Sequence, residues 1–183
     1  MILLPNTYPV EALVNQKRAN IYVYKNCPLI KDRDNLLNSW KIFIPNAYGC
    51  GAIGEVISTP VLSTPGTLCT DTFLQIGVSA NLQKEECVRI IKYIQTKFFR
   101  CLVGIKKITQ HCTREKYEYV PVQDFSTNSD IDWSKSIDEI DEELFKKYEL
   151  NKEDIEFIKA NITRQPLNFQ TIPASLKDEL NLE

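Results

Sequence analysis

The side chains best suited to chemistry crowd into one linker, where Lys106, Lys107, Thr109, Gln110, His111, Arg114 and Lys116 follow in quick succession. Lysine and arginine contacts to phosphates release condensed counterions and give salt-dependent affinity for a duplex. Arg and Lys can read guanine, and Gln and Asn adenine, through paired hydrogen bonds in the major groove. The linker supplies these types together. The loop from Pro45 to Gly54, with Asn46 and Tyr48, would form a second wall of the cleft, and Lys41, Lys92 and Arg100 are assigned to phosphate positioning.

Catalytic devices do not emerge. A common metal-dependent nuclease places Asp or Glu two positions before a catalytic lysine, and no lysine here has one. An adenine methyltransferase needs an Asn/Asp-Pro-Pro-aromatic motif for the flipped base, and the chain has no Pro-Pro pair. A Ser–His or Cys–His pair would depend on His111, the one histidine, which is read as a surface residue in a cationic linker. Asp32 with Asp34 and Asp130 with Asp132 have spacings that could hold a metal, but turn and cap roles are commoner in such polar runs. Gly49, Gly51 and Gly54 match GxGxxG literally. The dinucleotide version needs a helix straight after it, whereas EVISTPVLSTPG is β-branched and broken by Pro60 and Pro65, so a surface loop is expected. The six cysteines are scattered without a CxxC pair, and no zinc site is expected.

These residues must be positioned by the elements around them. Cys87, Ile91, Ile94, Phe98, Cys101, Leu102 and Ile105 recur at steps of three and four, predicting one long amphipathic helix from Gln83, with Arg89, Lys92, Thr96 and Arg100 on its opposite side. Cys87 and Cys101 would be buried thiols. The chain should turn extended at Tyr117–Val122, where Pro121 forbids a helix interior. Upstream, residues 1–18 suggest an irregular arm, Ile21–Tyr24 and WKIFIPN suggest strands, KDRDNLLNSW a short helix or turn, and TLCTDTFLQIGV the strongest strand. Downstream, Ser136 with Glu139 makes a capping box before Ile137, Ile140, Leu144 and Tyr148, and a second helix starts at Asn151 and buries Ile155, Ile158 and Ile162. The expected fold class is α+β: a curved, mostly antiparallel sheet from strands near residues 21, 42, 56, 74 and 119, packed on one long helix, with a C-terminal helical pair. The expected organisation is an α/β domain over 1–125, a helical appendage over 126–163 and a loose tail over 164–183.

The 183 residues, 43% hydrophobic and 25% charged, suit a soluble globular protein. The net charge of −2 conceals a polarity. Nine bases between Leu82 and Val120 face only Glu85, Glu86, Glu115 and Glu118, whereas Pro121–Ala160 holds twelve acids against five lysines. With neither a signal peptide nor a membrane span in view, a cytoplasmic location is expected.

Five stretches, WKIFIPNAYG, LCTDTFLQIG, YIQTKFFRCLVGIKKITQ, YEYVPVQDF and DIDWSKSIDEIDEELFKKYELNKEDIEFIKANI, together resemble the carboxy-terminal part of type II restriction-modification enzymes with an adenine-specific DNA methylase domain. The resemblance runs from about Asn20 to Ile162, and its most specific pieces are VPVQDF and the DEELFKKYEL-x-x-EDIEFI ending. It implies a sequence-specific DNA target-recognition part, partnered by double-stranded DNA and by a methylase or nuclease domain of the same or a companion chain. S-adenosylmethionine and magnesium would serve the full-length restriction endonuclease and methyltransferase, with no cofactor in this chain. The methylase half is missing, so the chain is either a fragment or a free-standing specificity module, not catalytic alone. The alternative is a protein-interaction or scaffold domain with an incidental basic patch.

Overall fold

A computed structural model describes residues 38–58, 60–77, 80–163 and 165 in full, and 7–14 and 17–24 as backbone. The element order is mixed α+β. Strands β1 (Thr7–Val14) and β2 (Lys17–Tyr24) form an antiparallel hairpin, so a strand pair stands over most of the expected irregular arm. Strand β3 (Lys41–Pro45) is buried along its whole length, as its apolar run predicts. It sits between β4 (Val61–Ser63) and β6 (Phe73–Ile76), antiparallel to both. Strand β5 (Thr67–Cys69) instead pairs in parallel with β1. The single expected sheet is therefore two three-stranded sheets, and TLCTDTFLQIGV is two strands parted by a turn at residues 70–72. No strand forms near residue 56 or 119 among the described residues. The expected strand after Tyr117 is replaced by a 3-10 turn, Arg114–Tyr117, that runs on into a hydrogen bond from the Val120 N–H to the Tyr117 carbonyl.

The long helix is also two. Helix α1 (Lys84–Gln95) and helix α2 (Lys97–Lys106) are parted at Thr96, which is fully buried with ψ at 151°. Its hydroxyl donates to the Tyr93 carbonyl at 2.7 Å and accepts the Phe99 N–H at 3.1 Å, closing one helix and capping the next. The apolar spacing runs through the break because both helices pack into the same core, with Cys87, Ile91, Ile94, Phe98 and Cys101 all buried. The break turns α2, and the two faces change roles there. Arg100, expected on the polar side with Thr96, is 2% exposed, while Ile105, expected inside, is 55% exposed.

Helices α3 (Ile137–Lys147) and α4 (Lys152–Asn161) begin where the sequence places them. Ser136 and Glu139 make the capping box, and the Asn151 side chain accepts the Asp154 N–H. The pair shares the core of α1 and α2 through Ile140, Leu144, Phe145, Ile158 and Ile162. One polar contact locks it there. Asp141 of α3 is buried, and its two carboxylate oxygens accept the first N–H groups of α2, from Lys97 and Phe98, both at 2.9 Å. Between the two halves runs the VPVQDF stretch as an irregular strap. Its Gln123 donates to the Tyr93 hydroxyl (3.3 Å), the Pro121 carbonyl (3.2 Å) and the Tyr148 hydroxyl (2.8 Å), and accepts from Lys147 (3.0 Å). Within the expected loose tail, Gln165 is buried and bonds both the N–H and the carbonyl of Ile57. Residues 166–183 and the KDRDNLL portion of the expected helix or turn lie outside the described residues, as do Asp32 and Asp34.

Candidate nucleic-acid interface

The two segments that the sequence proposes as walls of a cleft lie against each other. A short bridge pairs Ala47 with His111: the Tyr48 N–H donates to the Gln110 carbonyl at 2.8 Å and the Cys112 N–H to the Asn46 carbonyl at 2.7 Å. Gly51 completes the seam. Its φ is +98°, and a Cβ there would stand 2.3 Å from the Ile108 carbonyl carbon, so only glycine allows the approach. The joined loops form one ridge whose exposed residues include Ala47, Cys50, Ile108, Thr109, Gln110 and His111. The Thr109 hydroxyl accepts the His111 N–H at 3.3 Å. Arg114 follows at the start of the 3-10 turn, exposed, with Lys116 half-buried beyond it.

Beneath the ridge is a buried charge pair. Lys107, 2% exposed, is ion-paired with Glu55, and its ammonium lies 4.3 Å from the centre of the Tyr48 ring. The same carboxylate accepts the Cys50 N–H at 2.8 Å and the Gly51 N–H at 3.1 Å. Burial alone would raise the Glu55 pKa; Lys107 and the two N–H groups outweigh it and hold the carboxylate below its ordinary range. Tyr48 donates its hydroxyl to the Cys112 sulfur at 3.5 Å, and burial raises its pKa. Glu55 carries no sequence signal for this role, since its partners are four, five and fifty-two residues away.

The remaining basic residues do not join the ridge as accessible cations. Lys41 is buried in β3 and donates to the Ser39 carbonyl at 2.9 Å. Arg100 donates to the Thr163 carbonyl, and burial lowers its pKa despite the nearby Asp141. Lys92 holds the carbonyls of Trp133 (2.9 Å) and Lys135 (3.2 Å) just before α3, and burial lowers its pKa as well. Lys106 is ion-paired with Glu118 and lies 4.6 Å from the centre of the Tyr119 ring. Asn46 holds the Asp71 carbonyl at 3.0 Å with its side chain. The assignment of Lys41, Lys92 and Arg100 to phosphate positioning is therefore corrected, and Lys107 of the linker shares their inward turn: each ammonium or guanidinium meets backbone carbonyls or a carboxylate. Asp132 serves the turn role, accepting the Ser134 N–H at 3.0 Å, and Asp130 pairs with Lys147 at 2.8 Å.

A second surface adjoins the ridge. An apolar groove of about 790 Å³ runs between β6, α1 and the strap, with Ile76, Leu82, Tyr93 and Phe125 among its walls and Arg114 at its edge. Val122, also in its lining, is 92% exposed. Among the described residues no helix is long and apolar enough to cross a membrane. Comparison with protein-family models, with curated proteins and with solved structures finds no match to this chain.

Proposed function

We propose that the chain is a sequence-specific DNA-binding part of a restriction-modification enzyme, a target-recognition module that works in the cytoplasm beside a methylase or nuclease domain. The observation that carries this reading is the ridge itself: Thr109, Gln110, His111 and Arg114 are exposed on a loop fixed by two backbone hydrogen bonds and the Gly51 contact. A loop held this way presents base-reading side chains on a rigid base. The binding residues of this reading are Thr109, Gln110 and Arg114, with Lys116 at the flank. S-adenosylmethionine and magnesium belong to the catalytic part of such an enzyme.

Salt-titrated binding to duplexes of varied sequence tests it. Wild-type affinity should fall steeply with salt. Gln110→Ala should flatten the preference among sequences, and Arg114→Ala should weaken binding to all of them. Affinity that is indifferent to both substitutions rejects the reading.

A protein-interaction domain is the second reading, favoured by the groove and the exposed Val122. Its partner would be the methylase or nuclease part of the enzyme. Val122→Asp should abolish that association on this reading and leave duplex affinity untouched on the first.

A further inference from the structure

The three glycines of the AYGCGAIGE loop have left-handed φ values of +59° (Gly49), +98° (Gly51) and +75° (Gly54). Around Gly49 and Gly51 this turns two successive N–H groups, those of Cys50 and Gly51, toward one point, the arrangement that binds anions in phosphate loops. Here the point is occupied from within. The Glu55 carboxylate accepts Cys50 N–H with Oε2 (2.8 Å) and Gly51 N–H with Oε1 (3.1 Å) and Oε2 (3.3 Å), and the Lys107 ammonium reaches Oε1. Gly49 is shaped to this occupant, since a Cβ on it would lie 2.0 Å from Glu55 Oε2. The Glu55 side chain is 14% exposed and Lys107 lies buried behind it, with Gly49, Cys50 and Ala52 exposed at the mouth of the site. Two backbone donors and one ammonium thus converge on two acceptor oxygens carrying a single negative charge. A phosphodiester offers the same charge and the same pair of terminal oxygens.

We infer that the loop is a phosphate-binding nest kept filled by the Glu55 side chain, and that a backbone phosphate of nucleic acid displaces Glu55 from it. The inference rests on the nucleic-acid reading of the ridge, which the nest adjoins through Gly51 and Lys107. It gives Lys107 a phosphate-binding role after exchange of its partner, although the resting structure turns it inward. The exchange of one anion for another leaves the charge of the site unchanged. Glu55 therefore sets a threshold: a phosphate binds only where the ridge contacts make displacement favourable, and isolated phosphates are refused.

The test uses inorganic phosphate and a short DNA duplex as probes on three variants. Glu55→Gln removes the competing charge and keeps the size. Glu55→Ala vacates the nest and leaves Gly49, Gly51 and Lys107 as they are. The double variant Glu55→Gln with Lys107→Met removes the site. Phosphate should raise the Tm of Glu55→Gln by about 5 °C more than that of the wild type and shift the Cys50 and Gly51 amide resonances saturably. Glu55→Ala should respond in the same direction, and the double variant as little as the wild type. Duplex affinity of Glu55→Gln should rise by about tenfold, with a salt slope steeper by about one. If Glu55→Gln does not fold, Glu55→Ala decides. Phosphate responses equal to the wild type in whichever single variants fold overturn the nest. Saturable phosphate binding at those amides without any duplex binding keeps the nest and overturns its nucleic-acid ligand. Duplex binding that Glu55→Gln leaves unchanged, with no amide shifts, keeps the ridge reading and overturns the nest.

Discussion

The ridge and the C-terminal helical pair are held by different kinds of contact. In the helical pair the organising signals are local: Ser136 and Glu139 lie three residues apart, as do Asn151 and Asp154. In the ridge they are distant: Tyr48 to Gln110, Cys112 to Asn46, Lys107 to Glu55. The helical pair carries more net charge, yet its acids mostly cap helices or meet lysines, as in Lys159 with Glu142 and Lys135 with Glu143. The ridge carries less charge and holds its one buried pair beneath exposed polar side chains. Charge counted along a chain therefore does not predict charge available at a surface.

Asp141 is where the comparison breaks most easily, because it is a helical-pair residue acting at long range. Asp141→Ala should orphan the Lys97 and Phe98 N–H groups and remove the anion beside Arg100, at a cost of about 3 kcal/mol in chemical denaturation. A loss no larger than that of a surface substitution would remove the cap from the account. Gly51→Ala comes next. A methyl at its left-handed φ would meet the Ile108–Thr109 backbone, costing about 2 kcal/mol and parting the two loops, visible as faster amide exchange at Tyr48 and Cys112.

A pH series sharpens the same contrast. Burial pushes the Asp141 carboxyl up from 3.8 to about 6, against the N–H bonds from Phe98 and Lys97 and the Arg100 charge. The folded state then holds the proton more tightly than the unfolded one, so this contribution is fully present below about pH 4 and is lost as pH rises through about 6. The wild type should gain stability relative to Asp141→Asn as pH is lowered across that window. A constant difference between the two would contradict it. Ser136→Ala, a purely local cap, should cost about 1 kcal/mol at neutral pH. The smallest effect belongs to binding: Arg114→Ala should reduce the salt slope for a duplex by about one without changing Tm.

The same division explains what was legible in the sequence. The α+β class, the buried strand β3, strand β6 and both C-terminal helix starts were visible because short-range patterns specify them. The break at Thr96 was hidden because apolar residues keep their spacing across it; the buried Thr96 hydroxyl, bonded to Tyr93 and Phe99, and the distant Asp141 carboxylate on Lys97 and Phe98 divide the helix. The 3-10 turn at Arg114 was misread because Tyr117, Tyr119 and Val120 favour strands by type while their packing, against Phe99 in the case of Tyr117, is decided elsewhere. At the ridge, the exposed Thr109, Gln110 and Arg114 were recognisable from composition. The inward turn of Lys41, Lys92, Arg100 and Lys107 was not, because each depends on a carbonyl or carboxylate supplied by the fold.

The clasp between Gln165 and Ile57 has a bearing on how the protein is made. One side-chain amide supplies both a donor at 3.0 Å and an acceptor at 3.1 Å to a backbone segment 108 residues earlier. On a ribosome, the chain leading into β4 must wait for nearly all of the helical portion to emerge before that N–H and carbonyl acquire these protein partners. The nascent chain passes through a period in which its early strands exist without their final fastening, and stopping synthesis at Thr163 would leave that fastening permanently open.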